Sequence, residues 1–179
     1  MTTVALAGEL FSNIREFTLD VLDGLPDQAL TWRPDPDGNT IAWLVWHLAR
    51  VQDDHVAGLA DGEQVWAAPG WTERFGLDTD DDRIGYGDSS DDVAALAPED
   101  PSVLGDYLDA VTDRTLDWLA GADGDDWDRI VDRNWDPPVT ARVRLASIIS
   151  DDLQHVGQAA YLRGMYERLG AHRRPPSDT

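Results

Sequence analysis

The sequence predicts an all-α protein, a four-helix bundle with a long crossover loop between the second and third helices. Four segments repeat apolar residues at three- and four-residue spacing. No segment alternates convincingly as a strand. Acidic stretches rich in Pro and Gly separate the four, and the longest lies between the second and third.

The first helix spans roughly Val4 to Leu25, with Leu10, Phe11, Ile14, Phe17, Val21, Leu22 and Leu25 on its apolar face. Gly24-Leu25-Pro26 stops it. After the linker TWRPDPDGNT, Thr40 or Asn39 caps a second helix from Ile41 to Leu59. Its stripe is Ile41, Leu44, Val45, Leu48, Val51, Val56 and Leu59. Residues 61–100 read as an acidic loop whose first half packs over the bundle through Trp66, Trp71, Phe75 and Tyr86. The stretch from Asp88 to Ala97 reads as looser. The third helix begins at Asp100-Pro101, a capping residue followed by a proline suited to a first helical position. Leu104, Tyr107, Leu108, Val111, Thr115, Trp118 and Leu119 form its face. A second acidic linker leads to the last helix, Ala141 to Leu169, with Thr140 as cap and Gly170 as stop. Residues 1–170 thus read as one domain and 171–179 as a flexible tail.

Composition narrows the function. The chain of 179 residues suits one domain with its own core. It has no cysteine, which excludes disulfides, thiolate metal sites and a cysteine nucleophile. Any thiol chemistry must use a thiol supplied as a small molecule. Fourteen basic residues, all Arg, stand against 35 acidic ones, a net charge of −21. So negative a surface repels phosphate backbones and anionic lipid, arguing against nucleic-acid or membrane partners. No run approaches the roughly 18 apolar residues of a membrane span, and the first residues lack a basic, cleavable leader. A soluble, cytoplasmic protein is expected. The 8 Trp exceed what four short helices usually bury, so a homodimer contact is expected to take some of them.

The last helix carries SIISDDLQHVGQAAYL, in which His155 can meet both Asp151 and Asp152. At about 100° per residue, Ile148, His155, Ala159 and Leu162 share the core-facing stripe, with the two aspartates on either side. Buried charges need a partner or a metal. An Asp–His pair inside the bundle satisfies that requirement, and so does a metal ion. The second helix offers His47, on the side shared with Trp43 and Asp54, and His55 two turns further on. Two histidines and a carboxylate with room for solvent form an open ligand set for zinc or iron.

NTIAWLVWHLARVQDDHVAGL resembles the second helix of the DinB superfamily, and VTARVRLASIISDDLQHVGQAAYLRG resembles its last. The run Asp151-x-x-x-His155-Val156-Gly157-Gln158 is similar to the Glu-x-x-x-His-x-Gly-His or Gln pattern of the mycothiol-dependent maleylpyruvate isomerase branch. The resemblance implies a DinB-like domain over residues 1–170 and a divalent metal held by His47, Asp151 and His155. Zinc is the implied metal, with nickel or ferrous iron as alternatives. It favours His47 over His55 and Asp151 over Asp152. The carboxylate here is one methylene shorter than the Glu of that branch, so the metal lies closer to the last helix or Asp152 shares the duty.

The activity implied is thiol-dependent transfer or isomerisation of an electrophilic substrate, with mycothiol as the thiol and superfamily members often dimeric. A thiol near a zinc ion loses its proton at neutral pH. His55 or Asp54 could shuttle protons or orient a ligand from behind, and Trp66, Trp71 and Phe75 could wall the pocket. A metal-dependent hydrolase and a non-catalytic metal-binding stress protein are the alternatives.

Overall fold

A computed structural model describes residues 2–78, 82–122 and 126–170. The expected tail, 171–179, lies outside the described residues. Four long helices form the bundle: α1 (Thr3–Leu22), α3 (Ile41–Leu59), α6 (Ser102–Gly121) and α7 (Ala141–Gly170). Among the described residues, three short α-helices lie between them, α2 (Asp27–Leu30), α4 (Trp71–Arg74) and α5 (Ser90–Ala95). The all-α reading holds.

Local chemistry sets the helix ends. Thr2 Oγ1 accepts from the Ala5 amide and Thr40 Oγ1 from the Trp43 amide, so each supplies an N-terminal partner that its helix lacks. α1 stops three residues short of the expected Leu25, because Asp23 is already extended and Gly24 takes a positive φ of 63°. At α6, Pro101 is the capping residue rather than the first helical one, and Asp100 Oδ1 accepts from the Ser102 amide.

Contacts fix the topology. Arg15 pairs with Asp109 and Asp113 while Gly8 approaches Leu116, so α1 and α6 are antiparallel. Arg50 meets Tyr107 and Gln52 meets Thr115, which makes α3 and α6 parallel. His47 lies beside Asp151 and His55 beside Arg144, so α7 runs against α3 and packs next to it. Two parallel neighbours in succession need a connection the length of the bundle, and residues 60–101 supply it.

That crossover is anchored along much of its described part, but Tyr86, expected to pack over the bundle, is 94% exposed, because it sits on the turn between Gly85 and Gly87. Trp66 and Phe75 are buried, as expected, and so are Val93 and Leu96. The stretch from Asp88 to Ala97 is therefore not loose. Ser89 and Asp92 form a reciprocal capping box that starts α5, and Arg33 donates to the Ser90 carbonyl and hydroxyl. Two apolar anchors in so acidic a stretch are too few to register as periodicity.

Under the crossover sits an ion pair with Arg50 0% and Asp53 1% exposed. Arg50 donates to Gln64 Oε1 (2.7 Å), the Asp82 carbonyl (3.0 Å) and the Arg83 carbonyl (3.1 Å). Asp53 accepts from the amides of Val65 and Trp66, both at 2.8 Å, and from the Tyr107 hydroxyl at 2.7 Å. The pair ties both arms of the loop to α3.

A feature not expected from sequence is a two-stranded antiparallel ribbon, β1 (Ile130–Asp132) with β2 (Val139–Thr140), ahead of α7. Strands of three and two residues are too short for alternation to reveal. Of the 8 Trp, only Trp135 is exposed, and Trp43, Trp46 and Trp66 are buried.

Candidate metal centre

The seam between α3 and α7 brings His47, Asp151 and His155 together, with one donor atom of each within 4.8 Å of the others. Asp151 and His155 are one turn apart on α7, so helix geometry alone places their side chains side by side. His47 reaches them from α3, where Trp43, one turn earlier, stacks on its ring at 4.6 Å between centroids. Trp43 also meets the His155 ring edge-on at 6.2 Å.

Second partners orient both imidazoles. His47 Nδ1 donates to the Ile84 carbonyl in the crossover. His155 Nδ1 donates to Gln158 Oε1 at 3.1 Å. Each ring therefore turns its Nε2 toward Asp151, at 3.9 Å for His47 and 3.6 Å for His155. Neither separation is a hydrogen-bond distance.

Asp151 Oδ2 is buried and has no hydrogen-bond partner. A solvent-inaccessible carboxylate oxygen facing two imidazole nitrogens is an unmet coordination demand. Ligands about 2.1 Å from a tetrahedral zinc lie roughly 3.4 Å apart, against 3.6 and 3.9 Å for the two imidazole–carboxylate pairs and at most 4.8 Å for any pair of the three donors here. The three residues fit a divalent ion, with at least one position left to solvent or substrate.

Electrostatics suit the same role. Burial pulls the His47 pKa below its usual 6.5, which favours the neutral ring a metal requires. The His155 ring holds the Asp151 carboxyl below the ordinary range, and Asp151 in turn raises His155. Asp152 behaves differently. It is wholly buried, neither oxygen has a partner, and desolvation followed by the charge of Asp151 pushes its pKa well up. The structure thus brings Asp151, and not Asp152, into the cluster.

His55 and Asp54 sit two turns along α3, about 12 Å by helix rise. His55 Nδ1 donates to Asp54 Oδ2 at 3.0 Å, and Arg144 donates to His55 Nε2 at 3.2 Å. Both ring nitrogens are engaged there. Neither residue is hydrogen-bonded to His47, Asp151 or His155 among the described residues. Together with Arg144 they line a separate cavity of about 360 Å³. A larger cavity, about 810 Å³, is lined by Asp54, Gln64, Trp66 and Asp82 and does not include the three donors. Of the aromatics expected to wall a pocket, Trp66 lines this cavity, while Trp71 and Phe75 pack against Tyr107.

Sequence reasoning missed Ile84 and Gln158 as the partners that orient the two imidazoles, and the Arg50–Asp53 pair that holds the loop. Gln158 was legible as a polar residue three positions after His155. The pair showed as opposite charges at i and i+3 within α3. A backbone carbonyl leaves no sequence signal.

Comparison with known proteins agrees with this architecture. The sequence profile described as the DinB superfamily matches residues 10–159. The crystal structure of a conserved protein from Enterococcus faecalis superposes with a TM-score of 0.84 at 31% identity, covering 91% of this chain and 96% of that one. The search of curated proteins found no match.

Proposed function

The chain belongs to the DinB superfamily, and on that premise we propose that it binds one divalent metal ion, zinc, through His47, Asp151 and His155. A metal bound there would activate a small-molecule thiol of the mycothiol kind toward transfer to, or isomerisation of, an electrophilic substrate. One observation carries the metal assignment: the buried, unpartnered Asp151 Oδ2 faces two imidazole nitrogens whose other nitrogens are already committed. A zinc ion held by three protein ligands supplies Lewis acidity, which lowers the pKa of a thiol brought to it.

The protein's own residues do the rest. His47 and His155 present Nε2, and the half-exposed Asp151 supplies a carboxylate oxygen. Trp43 closes one side of the pair of rings. With no cysteine in the chain, the thiol must arrive as a cosubstrate.

The test is metal analysis of protein purified without added metal, followed by a screen of thiols against a generic electrophile. One metal per chain and thiol consumption that stops on chelation and returns with zinc support the proposal. Metal-independent turnover would discard the mechanism. A second reading, metal binding without catalysis, is favoured by the position of the donors outside the two cavities described. Stoichiometric metal with no thiol consumed would select it. Hydrolysis of esters or amides by the zinc-loaded protein would select a hydrolase instead.

We also propose a homodimer. Leu6 and Phe17 on α1, and Leu153 and Tyr161 on α7, are exposed apolar side chains that a second copy could cover. A monomer mass by light scattering would overturn it.

A further inference from the structure

We infer that the crossover segment 82–88 is a strap that sets the tautomer and aim of His47, with Gly85 as its positioning residue. The inference rests on the proposed metal site but concerns a different part of the chain. Its core is one hydrogen bond, from His47 Nδ1 to the Ile84 carbonyl. A neutral imidazole carries one N–H. Committing it to Nδ1 leaves the lone pair on Nε2, the nitrogen that faces Asp151.

The sequence of the strap permits this approach at one residue. Gly85 has φ of +91°, a region that L side chains rarely occupy. A Cβ built there would lie 2.6 Å from His47 Nδ1, 3.0 Å from Trp43 Cζ2 and 3.1 Å from Trp46 Cζ3. None of these atoms ends a flexible chain. Any side chain at 85 must push the strap off α3 or turn the His47 ring, and either movement breaks the bond to the Ile84 carbonyl.

The strap is anchored on both flanks of that bond. Arg50 donates to the carbonyls of Asp82 and Arg83 just before it. Just after it, Asp88 Oδ2 accepts from Trp43 Nε1 at 2.9 Å. Trp43 is the ring stacked on His47, so the same loop fixes the imidazole through its edge and through its face. A backbone carbonyl is a common outer partner of a metal-ligating histidine, and loss of such partners costs about 10–100-fold in metal affinity.

Two measurements test this. Nitrogen NMR shifts of His47 in the metal-free protein should report the Nδ1–H tautomer, and an Nε2–H tautomer would overturn the inference whether or not metal binds. Zinc titration of Gly85→Ala should then show affinity reduced about 10–100-fold with helical content unchanged. Asp88→Asn, which weakens the Trp43 anchor without adding volume, should give a smaller loss. Gly85→Ala binding zinc as tightly as the unsubstituted protein would overturn the inference. Failure of the unsubstituted protein to bind zinc would instead sink the metal reading and leave the tautomer result to decide the strap.

Discussion

Asp151 and Asp152 are adjacent in sequence and opposite in environment. Asp151 is half-exposed, and the His155 ring holds its pKa down. Asp152 is fully buried without a partner, and its pKa is pushed well up by desolvation. The helix turns about 100° between them, which is enough to put one at the seam and the other in the core.

Asp152 therefore makes stability depend on pH. Its folded pKa lies above its unfolded value, so its contribution is fully present below the unfolded pKa and is lost as pH rises through the folded one. The loss runs at about 1.4 kcal/mol per pH unit within that window. Asp152→Asn removes the titration and keeps the shape. Its stability relative to the unsubstituted protein should rise from acid toward neutral pH in urea denaturation, since the other carboxylates cancel in the difference. A difference that stays flat from pH 4 to 7 would contradict the assignment. Zinc affinity should be unchanged in this variant.

Metal binding should carry a proton signature. His155 binds a proton more tightly than a free histidine because Asp151 stands beside it, while burial makes His47 the weaker base. A metal needs both rings neutral. As pH falls below the raised pKa of His155, zinc affinity should drop about tenfold per unit, one proton being displaced. Below the lowered pKa of His47 the slope should double. Calorimetry in buffers of different ionisation enthalpy counts the protons, and an affinity that ignores pH through this range would refute the ligand set.

The four long helices were legible because each turns one apolar stripe inward, and α3 runs from Ile41 to Leu59 as its periodicity indicates. The metal residues were half legible. Spacing put Asp151 and His155 on one face, but could not decide between His47 and His55, or between the two aspartates. Those choices depend on α7 lying antiparallel to α3 and on the phase of burial along it, which are tertiary facts. The ordered crossover was hidden for a related reason. It is held by Arg50 and Asp53 through backbone groups, and such contacts leave no pattern in the loop itself.

That pair should be costly to break from one side. Asp53→Ala leaves the Arg50 charge buried and removes the acceptor of two amides and the Tyr107 hydroxyl. A loss of about 3–5 kcal/mol is expected in chemical denaturation. Limited proteolysis should cut first within residues 61–88. A loss under 1 kcal/mol would mean the pair does not anchor the loop.

Each of the three ligands should be needed to hold the metal. His47→Ala and His155→Ala each leave one imidazole and one carboxylate, too few donors to retain zinc against a weak chelator. Asp151→Ala should behave nearly the same, because the oxygen it removes has no other partner and lies within 3.9 Å of both rings. Asp151→Glu should retain the metal. The added methylene lengthens a side chain that is half-exposed. Asp54→Ala and His55→Ala should also retain the metal, since their hydrogen bonds run to each other, Gln64 and Arg144. Metal content after gel filtration ranks all six variants in one experiment. Loss of zinc in His55→Ala, with retention in His47→Ala, would move the site two turns along α3 and reverse the assignment.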